Sequence, residues 1–361
     1  MAQNWNMQFT QLVRETKPTF WGNWTLDANI QPGAVGTIDP GTGAFTFLTT
    51  LPKPAITTTT SVANDWKLMS STVHETTSDV TFSGSVVDPE TGTKITAGLE
   101  VTWAFSQQGS VSSTFTMSQQ AALEDFSNQI MANLPWLKQQ AASVGMLNSD
   151  GEITQGFGVV TGVLYASCGL NLGSETDNSS FSIKGSVNGV NAMAGNAEAG
   201  AKGSYAETNE TAAFESHLWP SEVDTLAGGP IAIAFQFASF VGDELLQGWV
   251  TNVSSITITL ANDHGGTYIV SALATYQSDG KTQSTTAKVS GGLVAVMDPI
   301  PPDAVNLALD LSFQGIVHSD KHHFFWASPV VQFPTGQIII DLRGVWPGAT
   351  SATERTTGET G

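Results

Sequence analysis

The chain has 361 residues, with 13 Lys plus Arg against 32 Asp plus Glu and a formal net charge of −19. Such a balance leaves little cationic surface to displace the counterions of nucleic acid, which argues against that partner. Any membrane affinity must rest on apolar or headgroup-specific contacts, or on a surface hidden at first. Only 12% of residues are charged, about half the usual share of about 25%, and the plentiful Thr, Ser, Asn, Gln and Gly suit β-rich proteins with neutral polar faces.

The first twenty residues predict a short helix around Phe9, Leu12 and Val13 that ends at Pro18. They lack a basic start followed by an apolar run, so no signal peptide is expected. No window approaches 18 uninterrupted apolar residues, which argues against a transmembrane helix. From Trp21 to Pro52, short apolar runs alternate with turns at Pro32-Gly33, Asp39-Pro40 and Gly41-Thr42-Gly43, the punctuation of hairpins. Residues 55–88 are β-prone, a similar turn follows at Asp88 to Lys94, and two further strands flank Gln108-Gly109. Ser118 is placed to cap a helix carrying Leu123, Phe126, Ile130, Leu134 and Leu137 at three- and four-residue spacing. Pro135 should kink or end it and open a second helix that stops near Gly145.

The stretch Gly156 to Phe240 dominates the chain. Val160, Leu164, Ala166, Cys168, Leu170 and Leu172 share one parity, and Thr161, Tyr165, Ser167 and Asn171 fall on the other. After the polar turn SETDNSS, the odd positions carry Phe181, Ile183, Val187, Met193, Ala197, Ala199, Ala201 and Tyr205. The even ones carry Ser182, Lys184, Ser186, Asn188, Asn196, Glu198, Lys202 and Ser204. Period two is the mark of strands with unlike faces, and the stretch predicts one very long hairpin. Its strands exceed the roughly nine to eleven residues that cross a bilayer in a barrel. A Gly- and Ala-rich face packs weakly, which suits a segment that leaves one packing for another. The competing reading is a long permanent hairpin with glycine bulges.

Ile231, Ile233, Phe235 and Phe237 begin another strand, and GDELLQGW at 242–249 marks a junction. Six short strands from Val253 to about Trp346 suggest a β-sandwich, and the tail from Gly348 is polar and expected to be disordered. The expected fold class is therefore α+β and β-dominated: a twisted antiparallel sheet with long amphipathic hairpins and a few covering helices, followed by a C-terminal β-sandwich. The expected division is 1–245, 246–348 and a tail at 349–361.

No catalytic motif stands out, so no enzymatic activity and no cofactor are expected. His318, Asp320, His322 and His323 have a spacing that could gather a metal at a strand end, although a polar turn accounts for them better and no metal is expected. Cys168, the only cysteine, precludes an intrachain disulfide and reads as a small buried hydrophobe rather than a reactive thiol. Phe324, Phe325, Trp326, Trp346, Tyr268 and Tyr276 cluster in the C-terminal part. Of these, Tyr268, Tyr276, Phe325 and Trp326 are candidate lipid contacts, with core packing as the alternative.

The order PGAVGTIDPGTGAF, WAFSQQGSVSSTF, two helices, GFGVVTGVLYASCGLNL, AETNETAAFESHLW and GPIAIAFQFASF resembles the pore-forming domain of gasdermins, especially the bacterial and fungal type, over about Asn23 to Phe240. The resemblance implies a protein inactive in the cytoplasm, freed by proteolysis, that assembles into homo-oligomeric rings on membrane lipid. Each protomer of such a ring inserts two amphipathic hairpins into a β-barrel, a cell-death or toxin activity. By position the first hairpin would lie within about Thr57 to Glu100 and the second would be the Gly158 to Trp219 pair. Val160, Leu164, Ala166, Leu170, Phe181, Ile183, Val187, Met193, Ala197, Ala199, Ala201 and Tyr205 would supply the lipid face. GGTYIVSALATYQSDG and HHFFWASP are similar to aegerolysin- and actinoporin-type lipid-binding sandwiches, which implies a C-terminal module that inhibits the pore domain or targets it. The alternative left open is a soluble β-rich binding or structural protein, such as a carbohydrate-binding module or a secretion-apparatus component.

Overall fold

Helix α1 (Trp5–Thr16) starts where the Asn4 side chain accepts the Met7 amide at 3.2 Å, satisfying one of the free donors of the first turn. It buries Trp5, Phe9 and Val13, a four-residue spacing that makes one apolar stripe. Arg14, near its end, lies 4.1 Å over the Trp21 ring, and burial pulls its guanidinium down to about 10. The computed structural model describes residues 3–60, 65–83, 86–221, 229–263, 266–278, 280–314, 319–345 and 347–361. These form two units, Met1–Ser143 with Gly156–Ala238, and Val144–Gln155 with Ser239–Gly361. The fold is α+β and dominated by strands.

In unit 1 the strands β1 (Phe20–Gly22), β2 (Ala34–Ile38), β3 (Phe45–Thr50), β4 (Ile56–Thr59), β5 (Asp65–Met69), β6 (Val73–Thr81), β7 (Ala97–Phe105) and β8 (Val111–Leu123) precede α2 (Phe126–Ala132) and α3 (Leu134–Ser143). They are followed by β9 (Phe157–Ser174), β10 (Ser179–Gly185), α4 (Val187–Met193), β11 (Glu207–Glu210), β12 (Phe214–Trp219) and β13 (Ile231–Val241). The axis of the main sheet is β9, 18 residues long. Along one edge it pairs with β13 and β12, along the other with β2 and β8. A second antiparallel sheet has the order β11–β10–β7–β6.

This topology corrects the expected hairpin. β9 and β10 are joined by the SETDNSS turn but do not pair; β10 instead pairs with β7 and β11. The reason lies in how β9 is covered, because its polar parity is buried along with its apolar one. Thr161 is 6% and Asn171 0% exposed, and Asn171 Nδ2 donates to the Trp24 carbonyl at 2.8 Å. A strand paired on both edges and covered on both faces carries its alternation without any wet side. The expected helix from Ser118 is also corrected. β8 runs through Ser118 to Leu123, pairing with β9 and β4, so α2 begins only at Phe126 and Pro135 sits in the first turn of α3, where its missing N–H costs nothing.

Unit 2 contains β14 (Glu244–Leu246), β15 (Thr257–Ala261), β16 (Ile269–Ser278), β17 (Lys281–Val289), β18 (Val294–Val296), β19 (Val305–Gln314), β20 (Ser319–Trp326), α5 (Pro329–Gln332), β21 (Gln337–Arg343) and β22 (Ser351–Glu354). They form two four-stranded sheets, β18–β15–β21–β22 and β17–β16–β19–β20. The core takes Ile258, Leu260, Ile338, Ile340 and Leu342 from the first and Val270, Ala274, Leu307, Leu309 and Leu311 from the second, all at most 2% exposed. The tail expected to be disordered is instead structured: β22 pairs with β21, and Arg355 Nη2 lies 2.6 Å from Asp341 Oδ1. Glu354 accepts the Thr356 and Thr357 amides. Burial would raise the Glu354 carboxyl, but these bonds hold it below the usual carboxylate range.

Candidate membrane-inserting site

Two hairpin-like pairs lie side by side in unit 1. β6 and β7 pair from Val73↔Phe105 to Thr81↔Ala97, and β10 pairs with β11 from Phe181↔Glu210 to Lys184↔Glu207. They are joined edge to edge by β7 and β10, with Phe181 opposite Trp103. β6 and β7 are connected at the Thr81↔Ala97 end of this sheet, the same end at which residues 186–206 join β10 to β11.

Residues 186–206 are folded against their own pattern. α4 reads VNGVNAM, poor in helix formers and far shorter than a helix that holds itself in water. Ser186 Oγ caps it by accepting the Gly189 amide at 3.2 Å. The rest of its support is tertiary. Thr116 Oγ1 on β8 donates to the Ala192 carbonyl at 2.6 Å, and Val190, Ala192 and Met193 join a core cluster with Cys168, Leu170 and Leu172 of β9. Beyond the helix, Ser167 Oγ donates to the Ala201 carbonyl at 2.6 Å and the Gly200 amide to Met117 O at 2.8 Å. Two glycines permit the close approach. A Cβ on Gly189 would lie 2.2 Å from Ser204 Oγ, and one on Gly203 would lie 2.6 Å from Cys168 Cβ and 2.7 Å from Met193 Sδ.

Asp88, from the segment between β6 and β7, ties the two connections together. Its Oδ1 accepts the Glu90 and Thr91 amides at 2.9 and 3.0 Å, and Ser204 Oγ lies 3.4 Å from Oδ2. Burial alone would raise this carboxyl; hydrogen bonds from Ser186, the Thr91 and Glu90 amides and Ser204 outweigh it and hold the pKa below the ordinary value. Nearby, Lys202 Nζ lies 3.3 Å from Glu90 Oε1. The sequence marked Asp88 only as the start of a turn; its second partner lies 116 residues away, beyond the reach of any local signal.

The twelve candidate inserting residues are thus dispersed. Val160, Leu164, Ala166 and Leu170 are buried in β9, and Phe181 and Ile183 are buried in β10. Val187 opens α4 at 47% exposure and Met193 ends it fully buried. Ala197, Ala199 and Ala201 lie in the following connection, and Tyr205 is 9% exposed. Cys168 is a free, buried thiol; burial pushes it up to about 11, so almost no thiolate is present at neutral pH.

Of the candidate lipid aromatics, Tyr268, Tyr276 and Trp326 are core residues at 7%, 7% and 2% exposure, and only Phe325, at 52%, reaches the surface. Strand parity decides their side: Phe324 and Trp326 are buried and Phe325 between them is exposed. Trp346 and His318 lie outside the described residues. His323 Nδ1 pairs with Asp310 Oδ1 at 2.9 Å, while His322 meets the Gly361 carbonyl and Thr350 Oγ1 at 2.9 and 3.0 Å. Among the described residues no three His, Cys, Asp or Glu side chains gather as a metal site, and no helix is long and apolar enough to cross a membrane.

No family model matches the chain, and no curated protein matches it. Among solved structures it is similar to a Gram-negative toxin, at 10% identity and a TM-score of 0.22 over 92% of this chain and 86% of that one. It is also similar to a disulfide-locked mutant of intermedilysin with human CD59, at 8% identity and a TM-score of 0.21 over 94% and 87%. The human-specific toxin intermedilysin itself gives 7% identity and a TM-score of 0.19 over 92% and 86%. Overlap this loose identifies no common mechanism, and the functional reading rests on the chain's own residues.

Proposed function

We propose that the chain is a non-enzymatic pore-forming protein whose β6–β7 and β10–β11 pairs lengthen into a membrane β-barrel at the expense of the two compact connections between them. One observation carries this reading: the odd-position apolar pattern of β10 resumes at Val187, Met193, Ala197, Ala199, Ala201 and Tyr205, broken at 189–192, yet residues 186–205 are folded as a short helix and turns. Local preference and tertiary structure normally agree, and a conflict of this kind suits a segment with a second conformation. β10 has seven residues, too few for the roughly nine to eleven of a barrel strand; extending through α4 makes it long enough. In that form Phe181, Ile183, Val187 and Met193 share the lipid-facing side, and Ser182, Lys184, Ser186 and Asn188 the wet one.

The pairing order β6–β7–β10–β11 supports the proposal, since four neighbouring strands lengthen without changing partners. An open sheet cannot sit in hydrocarbon with unpaired edges, so the active state is a closed homo-oligomeric ring. The gasdermin-like order of elements agrees with this, and on that likeness the chain would rest inactive in the cytoplasm until released by proteolysis.

Dye release from liposomes by the chain, both intact and after limited proteolysis, tests the proposal, with hydrogen exchange of residues 186–206 alongside. We expect leakage accompanied by loss and then recovery of amide protection in this segment. Silence across neutral and anionic lipids, with 186–206 as protected as β9 throughout, would leave a soluble β-rich binding protein as the better reading.

A further inference from the structure

The outward face of the sheet β17–β16–β19–β20 in unit 2 holds a groove of about 900 Å³. Across its floor the registers align Lys288, Ser271, Ser312 and Lys321 in one row, one residue from each strand. With strands about 4.8 Å apart, the backbones carrying the two lysines are about 14 Å apart, with both hydroxyls between them. Ser271 Oγ accepts Gln314 Nε2 at 3.0 Å, which leaves its proton to donate into the groove.

The chain has 13 cationic side chains in all, and among the described residues neither lysine of this row has an ion-pair partner. The one carboxylate lining the groove, Asp310, is engaged by His323. Ile269 at 38% and Leu273 at 41% exposure stand one row to either side of it, and Phe325, at 52%, lies two rows away on the Leu273 side.

We propose that this face binds the headgroup phosphate of an anionic phosphoglyceride at a bilayer surface. The two ammonium groups would take the phosphate charge, the serine hydroxyls its oxygens, and Leu273 and Phe325 would rest in the interface. The net charge of −19 does not forbid this, because at physiological salt charges more than about 8 Å away are screened. The inference rests on the membrane-acting reading of the chain and gives unit 2 the role of receptor.

The test is co-sedimentation of the full chain with phosphatidylcholine vesicles, alone or mixed four to one with phosphatidylserine, comparing wild type with Lys288→Gln, Lys321→Gln and the double variant. Unchanged far-UV circular dichroism and melting confirm folding of these surface variants. We expect binding only to the mixed vesicles, weakened about fivefold by each substitution and about thirtyfold by both. Equal binding by wild type and the double variant, no vesicle binding at all, or capture by a sulfated glycan in place of vesicles would each overturn it. Dye release is scored separately. Leakage that ignores the lysines sinks this inference and spares the pore, whereas lysine-dependent binding without leakage does the reverse.

Discussion

Two stretches of this chain carry the same alternation, and only one of them obeys it. In β16, Val270, Ala272, Ala274 and Tyr276 face the core while Ile269, Leu273 and Gln277 face out. In residues 186–206 the parity is broken: Val190 and Ala192, on the even side, are buried with Met193, on the odd side, while Val187 is exposed. The difference lies in what the buried side has to offer. Residues 186–206 bring Val190, Met193 and Tyr205 to the core but otherwise mostly small residues, so hydrogen bonds and close backbone approach share in deciding the conformation. One stretch is held chiefly by apolar area, the other by a small apolar cluster together with polar contacts that a change of environment can remove.

That contrast can be broken or sharpened by substitution. The largest effect should come from the stretch held by area. Leu309→Ala, at a fully buried position of β19, is expected to cost about 2–5 kcal/mol of global stability, read by denaturant melting, without opening 186–206 selectively. Gly203→Ala places a methyl against Cys168 and Met193 and is expected to cost about 1–3 kcal/mol of overpacking. An extended strand accommodates alanine, so this variant should leak dye faster than wild type; slower or unchanged leakage would argue against refolding of the segment.

Asp88→Asn removes a buried, charge-assisted acceptor and should cost about 1–3 kcal/mol, seen as faster hydrogen exchange at 186–206. The sign of the pH dependence follows from the depressed carboxyl. Its stabilisation is fully present above the unfolded pKa of about 3.9 and is lost as pH falls through the lower folded value. Acidification below about pH 4 should therefore loosen the segment in wild type and do less in Asp88→Asn. The smallest effect is expected from Lys202→Gln. Lys202 is 78% exposed, and a surface pair of this kind contributes less than about 1 kcal/mol.

Much of the architecture was legible because it depends on local pattern. The helix at Phe9 and Val13, the strand through Ile233 and Phe235, and the strands of unit 2 follow from period and turn residues. Ser118 misled because a serine before a spaced apolar run is also what a strand leading into a helix looks like; pairing of β8 with β9 up to Ala122, and of Gln120–Leu123 with β4, settles the matter, and no local signal reports it. The tail misled for a related reason. Its small polar residues carry no apolar driving force, and only pairing with β21 and the turn closed by Glu354 order it.

For the candidate site the division is sharper. The sequence by itself determined where the alternation runs, that the stretch after Ser180 is rich in small residues, and that no cationic face or catalytic motif accompanies it. The tertiary structure alone decided that β9 is a doubly covered axis rather than half of a hairpin, that β10 lies beside β7, and that Asp88 reaches Ser204. The physical reason is that a period of two tells which residues share a side, but not what covers that side. Coverage and strand partners come from residues distant in the chain, whose loop-closure cost is met only when the whole sheet assembles.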